Sequence, residues 1–261
     1  LRSTDSGKTW FRQGEGQIAE VNMAGVHAVD PDTAWLVGNS DGYATIYHTG
    51  DGGRTWIRKG SSDDLPDHNL TKVHAPDDDH VWAVGGSLTQ NVILHTSDGG
   101  ENWIDQMPAG YEGVMLQGVY AADDQTVWVT GGKKDGYPTI LKSTDGGASW
   151  TRQSGGDLTS PGYDHVLGIS GINPETVWAM GGTTGSQGWF VLKTVDGGET
   201  WTMQTSGAFD GNNVCAVDAS TVWAVSDLHV CWSVDGGTSW EKHGSPEYTM
   251  GVSAINDQKA W

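Results

Sequence analysis

The chain has 261 residues, enough for one large domain with a sizeable core. Its 33 Asp and Glu outnumber 14 Lys and Arg, and the net charge of −19 argues against nucleic acid or an anionic membrane as partner. No apolar run approaches a membrane span, so no direct membrane insertion is expected. Two cysteines, Cys215 and Cys231, do not make a disulfide framework.

Taken in chain order, the sequence is two interleaved repeats. The first reads [S/T]-x-D-[G/S]-G-x-[T/S/N]-W. It occurs at Ser3 to Trp10, Thr49 to Trp56, Thr96 to Trp103, Ser143 to Trp150, Thr194 to Trp201 and Ser233 to Trp240. Its aspartates are Asp5, Asp51, Asp98, Asp145, Asp196 and Asp235, spaced by 46, 47, 47, 51 and 39 residues. A short apolar run precedes most copies, as in Ile140-Leu141, and each ends in a Trp that opens another run. The spacing predicts strand, tight turn, strand. Asp accepts hydrogen bonds from turn N–H groups, Gly supplies φ > 0, and the hydroxyl is a second local partner.

The second repeat is a strand around a Trp: Trp35, Trp82, Trp128, Trp178 and Trp223, with Lys259-Ala260-Trp261 beginning a sixth. Nine residues before each Trp stands Val26, Val73, Val119, Ile169, Val214 or Val252. A turn residue follows, Asp30, Asp77, Asp123, Asn173, Asp218 or Asn256. Each unit is therefore an inner strand, a turn, a Trp strand, a variable loop, a third strand, the box turn and a fourth strand. Four short antiparallel strands repeated about every 47 residues make a propeller blade. No helical period is sustained, so helix should be near absent.

The box resembles the Asp-box, or BNR repeat, of sialidases, sortilin-type receptors, xyloglucanases and the photosystem II stability/assembly factor propellers. That resemblance implies an all-β Asp-box β-propeller of four-stranded blades, with the box as a fold-forming turn. The overall pattern is most similar to the photosystem II stability/assembly factor-like propellers, which implies an assembly scaffold or binding role. One domain, 1–261, is expected to hold six blades, or seven if the chain is a fragment. The closing blade is shared between 1–13 and 246–261 and is short of residues. A monomeric domain is expected, in an extracellular, cell-surface or periplasmic setting.

Function is expected on the face built by loops leading into the inner strands and loops joining the second and third strands. Those loops carry Tyr43, Tyr111, Tyr137, Tyr163, His165, Trp189, Phe209, Asn213 and Tyr248 as candidates for a protein or glycan ligand. No catalytic set is expected. A sialidase-like fold implies three convergent arginines, but Arg12, Arg58 and Arg152 each stand two residues after a box Trp, on outer strands. A lectin or glycoside hydrolase is the alternative, and the abundant carboxylates make no pair specific. His27 and His74 share one register with Tyr120, Ser170, Cys215 and Ser253, a set too poor in ligand types for a metal. No cofactor is expected.

Overall fold

The structure is a computed structural model. It describes every residue except 6, 19–20, 61–64, 88, 160–161, 184–187, 207–210, 227–228, 245–249, 257–258 and 261. The chain divides into two compact units, Leu1–Asp124 and Gln125–Trp261.

The first unit opens with a bridge between Arg2 and Phe11. Its strands are β1 (Asn22–Ala28), β2 (Ala34–Ser40), β3 (Tyr43–Thr49), β4 (Ile57–Lys59), β5 (Leu70–His74), β6 (Val81–Gly86), β7 (Asn91–Thr96), β8 (Ile104–Asp105) and β9 (Leu116–Ala121). The second unit holds β10 (Val127–Lys134), β11 (Tyr137–Ser143), β12 (Thr151–Arg152), β13 (Tyr163–Gly171), β14 (Val177–Thr183), β15 (Trp189–Thr194) and β16 (Thr202–Ser206). It continues with β17 (Gly211–Ala216), β18 (Val222–Ser226), β19 (His229–Ser233), β20 (Glu241–Gly244), β21 (Ala254–Asn256) and β22 (Lys259–Ala260). These form five four-stranded sheets, each in chain order, and one two-stranded piece, β21–β22. Among the described residues the only helix is a 3-10 turn, Gly156–Thr159.

Each Trp strand is the second of its sheet, as the repeat predicts. Trp35, Trp82, Trp128 and Trp178 are fully buried. In the first unit Trp35 and Val37 share a core with Val73, Ala75, Val81 and Ala83 of the next sheet. In the second, Trp178 and Met180 do the same with Val214, Val222 and Ala224. One face of a sheet thus lies on the opposite face of its successor. The box Trp adds an edge contact: Trp103 meets Trp35 at 6.1 Å and Trp201 meets Trp128 at 5.8 Å between ring centres. Both cysteines are free. Cys215 and Cys231 stand on β17 and β19 with β18 between them, two strand spacings apart and beyond disulfide reach.

The Trp strand also has a cross-strand rule. Opposite Trp35, Trp82, Trp128, Trp178 and Trp223 on the third strand stand His48, His95, Lys142, Lys193 and Trp232. The Lys142 ammonium lies 4.8 Å over the Trp128 ring and that of Lys193 4.5 Å over Trp178. His95 stacks on Trp82 at 4.2 Å. Both lysines reach on to the first box glycine of the next sheet, Lys142 donating to Gly197 O at 2.8 Å and Lys193 to Gly236 O at 3.2 Å.

In the box turn the Asp and the hydroxyl divide the donors by burial. Asp145 does accept from its turn, from Ser149 N at 2.8 Å and Ser149 Oγ at 2.6 Å, but Asp145 is exposed. The buried donor belongs to the hydroxyl: Gly147 N–H donates to Ser143 Oγ at 2.7 Å, and Ser143 is 1% exposed. Ser143 Oγ then donates to Asp145 Oδ1 at 2.8 Å. Gly146 and Gly147 have φ of 67° and 86°, the left-handed conformation that favours glycine. The inner turns behave as predicted, with Asp218 Oδ1 accepting from Ser220 N and Thr221 N, both at 2.7 Å.

Ser143→Ala strands the buried Gly147 N–H and is expected to destabilise the protein by about 1–3 kcal/mol. Asp145→Ala opens an exposed rim and is expected to cost less. Thermal melts of the two variants decide the order, and a larger loss for Asp145→Ala would show the hydroxyl is not the anchor.

Candidate functional site

The loops leading into the inner strands form around buried plugs. In the first unit Leu65 is the plug before β5, and Pro66 O accepts from Ala44 N at 3.0 Å. The 108–115 loop is held by Val114, which is buried, and by Asn91 Nδ2, which donates to Glu112 O at 2.7 Å. Tyr111 of that loop is half-buried and Met115 is exposed. In the second unit Leu158 plugs the loop before β13, and Asp157 Oδ2 accepts from Met203 N at 2.8 Å.

Two candidate tyrosines stand in equivalent places. Asp41-Gly42 and Asp135-Gly136 are two-residue hairpin turns with φ of 52° and 89°, and 52° and 91°. Each turn is followed by an exposed ring, Tyr43 at 50% and Tyr137 at 42%. Arg152 braces the second turn, donating to Lys134 O at 2.6 Å and Tyr137 O at 3.2 Å, with Asp135 3.5 Å away.

The other candidates separate. Tyr163 is 6% exposed, stacks on Phe190 at 3.9 Å between ring centres and points its hydroxyl at Met203 Sδ. It is a packing residue with little surface for a ligand. His165 meets the Trp189 ring edge-on at 5.3 Å, and both are half-buried, as is Asn213. Phe209 and Tyr248 lie outside the described residues. A pair from the same loop segments joins the set: buried Asp164 forms an ion pair with half-exposed Lys133.

The inner-strand register holds side chains that latch one strand to the next. Ala121 N–H donates to His74 Nδ1 at 3.3 Å in the first unit, and Ala216 N–H donates to Ser170 Oγ at 3.0 Å in the second. The His27 and His74 rings lie 4.0 Å apart, and Tyr120 meets His74 edge-on at 5.1 Å. Among the described residues no group of three His, Cys, Asp or Glu is placed to hold a metal ion. Burial holds His27 at about 4, and it pushes His74 well below the ordinary range, with His27 beside it adding to the effect. Burial, then His80, takes His95 to about 4.

Residues 15–109 match the family described as Photosynthesis system II assembly factor YCF48. Among solved structures, YCF48 bound to a D1 peptide superposes with a TM-score of 0.65 at 17% identity, over 93% of this chain and 74% of that one. YCF48 from Cyanidioschyzon merolae gives 0.55 at 16%, over 92% of each chain. The GH74 enzyme of Niastella koreensis gives 0.65 at 17%, over 85% of this chain but only 38% of that enzyme. No curated protein sequence matches the chain. The fold is a YCF48-like multi-blade β-propeller, in line with the resemblance carried by the two repeats.

The buried histidines give a signed pH dependence. Each stays neutral in the fold at a pH where the unfolded chain, near its ordinary value of about 6.5, takes up a proton. Stability is full above about pH 6.5 and drains as the pH falls toward about 4. His74→Gln keeps an acceptor for Ala121 N–H and removes one proton site. It is expected to flatten the loss by up to about 1.4 kcal/mol per pH unit. Urea unfolding at pH 7.0 and 5.0 measures this, and an unchanged slope would show that His74 titrates normally.

Proposed function

We propose that this chain is a non-catalytic binding scaffold of the assembly-factor kind, and that it recognises an extended polypeptide through the loops leading into its inner strands and the adjoining hairpin turns. The observation that carries the reading recurs in each unit: an exposed tyrosine set on an Asp-Gly turn, Tyr43 in the first and Tyr137 in the second. An exposed ring on a pre-ordered turn loses little freedom on binding, so most of its burial becomes affinity. The similar protein YCF48, bound to a D1 peptide, supports a polypeptide as ligand class. The net charge of −19 favours a neutral or basic segment, with attraction that weakens as salt rises.

A photo-crosslinking residue at position 137 should capture a polypeptide from native extract, and one at Arg54 on the box-turn side should not. Synthetic peptides from the captured region then test the rings. Tyr43→Ala or Tyr137→Ala is expected to weaken binding by more than about 1 kcal/mol, whereas Lys8→Ala and Arg54→Ala leave it unchanged. Retention of oligosaccharides on a glycan array, or hydrolysis of a glycoside lost on changing one loop carboxylate, would replace this reading with a carbohydrate-active one.

A further inference from the structure

The sequence holds eight Asp-Gly pairs. In such a pair an aspartate can react with its own backbone, because glycine has no side chain to crowd the attacking nitrogen. The glycine nitrogen attacks the Asp Cγ and loses its proton. A C–N bond forms, the C–O bond breaks and one water leaves, giving a succinimide. Water then opens either carbonyl of the ring. The product is aspartate again or isoaspartate, in which the chain runs through Cβ and the α-carboxylate is free. No oxidant or cofactor enters. Whether a pair reacts depends on how firmly the fold holds the carboxyl and the nitrogen apart.

Seven of the pairs lie within the described residues, and Asp210 of the eighth does not. Five are box pairs, and in each both groups are occupied. The glycine N–H donates to an inner-turn carbonyl at 2.7–3.1 Å in all five, as Gly52 does to Asp32 O and Gly236 to Ser220 O. Both carboxylate oxygens accept from the residue four positions on, as Asp196 does from Thr200 N at 3.0 Å and Thr200 Oγ1 at 2.6 Å. The side-chain donor of that residue is the first cause that holds Asp51, Asp98, Asp196 and Asp235 at about 2, and an ionised carboxylate resists a nucleophile. Ring closure in a box therefore requires the turn to open first, a local unfolding event.

The other two, Asp41-Gly42 and Asp135-Gly136, are the hairpin turns of β2–β3 and β10–β11. Both residues of each pair are exposed. An atom added at the Cα of Gly42 or Gly136 would meet nothing within 4 Å. Both aspartates have φ of 52°, a left-handed conformation that is unfavourable for a residue with a side chain. The two turns differ in their bracing. Arg152 lies 3.5 Å from Asp135 and donates to the carbonyls on either side of its turn, Lys134 O and Tyr137 O. Arg58, at the same place after its box Trp, is exposed. Among the described residues no side chain bonds to Asp41 or Gly42.

We propose that Asp41-Gly42 is a self-modification site, at which the folded protein converts Asp41 to isoaspartate through a succinimide. Asp135-Gly136 is a slower second site, restrained by Arg152, and the box pairs are protected. The extra main-chain methylene does not fit a turn of two residues, so the Ser40–Tyr43 pair that closes the hairpin loses its register and the Tyr43 ring shifts. The product, exposed and carrying a free α-carboxylate, has the chemistry of a substrate for an isoaspartyl carboxyl methyltransferase.

The test incubates the whole folded chain near neutral pH, below its melting temperature, beside a sample in urea. Peptide mapping with electron-transfer fragmentation locates isoaspartate, and labelled methyl transfer by an isoaspartyl methyltransferase measures its amount. In the folded chain isoaspartate is expected to accumulate several-fold faster at Asp41 than at Asp135 and to stay at background in the five box pairs. In urea the box pairs should approach the Asp41 rate. Arg152→Gln should bring Asp135 up to Asp41, and Asp41→Glu, whose longer side chain closes the ring poorly, should abolish the modification there. Circular dichroism confirms that both variants fold. Box pairs as reactive as Asp41 in the folded chain, or isoaspartate found only in urea, overturns the proposal. Asp135 staying slow in Arg152→Gln overturns the role given to that arginine. None of these readouts uses a ligand, so the outcome is independent of the proposed loop site.

Discussion

The glycine that directly follows the box Asp, present in five of the six boxes, is the junction on which the rest of the structure hangs. Gly197 N–H donates to Glu175 O in the inner turn of its own sheet, and Gly197 O accepts from Lys142 of the sheet before. Gly236 repeats this with Ser220 O, and its carbonyl receives both Lys193 and the indole N–H of Trp178. One peptide unit thus fixes the box turn to the inner turn and one sheet to the next. The buried hydroxyl two positions before the box Asp holds the loop in shape, and two successive residues at positive φ make glycine the low-cost choice at both. The repeat constrains all these positions together because they serve one junction.

The residue that faces the strand Trp could have been read from the sequence only with the register in hand. It stands immediately before the box, and its identity changes from Arg2 to His48, His95, Lys142, Lys193 and Trp232. A pattern search tuned to constant letters passes over it. The constant property is physical: each can lie over or against a Trp ring, by stacking or by cation–π attraction. The two repeats, the strand order, the inner turns and the scarcity of helix were legible because each rests on local chemistry that recurs. The number of sheets was less legible, since the ends of the chain carry pieces rather than whole units. The described residues hold five four-stranded sheets and one two-stranded piece.

The candidate residues look equivalent in sequence, and the structure separates them. Tyr137 and Tyr163 look alike in sequence, each an aromatic near an acid in a polar loop. Their fates differ because of the backbone beneath them. Asp135-Gly136 is a two-residue turn followed directly by the exposed ring of Tyr137. Tyr163 stands at a bulge, where the register shifts between Tyr163 and His165, and its ring goes inward onto Phe190. Bulges re-aim side chains without a fixed sequence signature, so burial there had to come from the structure.

This difference bears on how such a protein separates stability from recognition. The box and inner-turn side spends its polar groups on itself. Asp51, Asp98, Asp196 and Asp235 are each held at about 2, first by the side-chain hydrogen bond from the Thr, Asn or Ser four residues on. Carboxylates satisfied in that way gain little from a new partner. On the loop side, plugs such as Leu65, Val114 and Leu158 carry the packing and release neighbouring positions from it. Tyr43, Tyr137 and Met115 can then stand out in water without weakening the core. The exposed rings carry no packing that a substitution would disturb, whereas the junction glycines sit at positive φ, where a side chain is strained. That asymmetry leaves the loop tips free to vary while the plugs beneath them stay fixed.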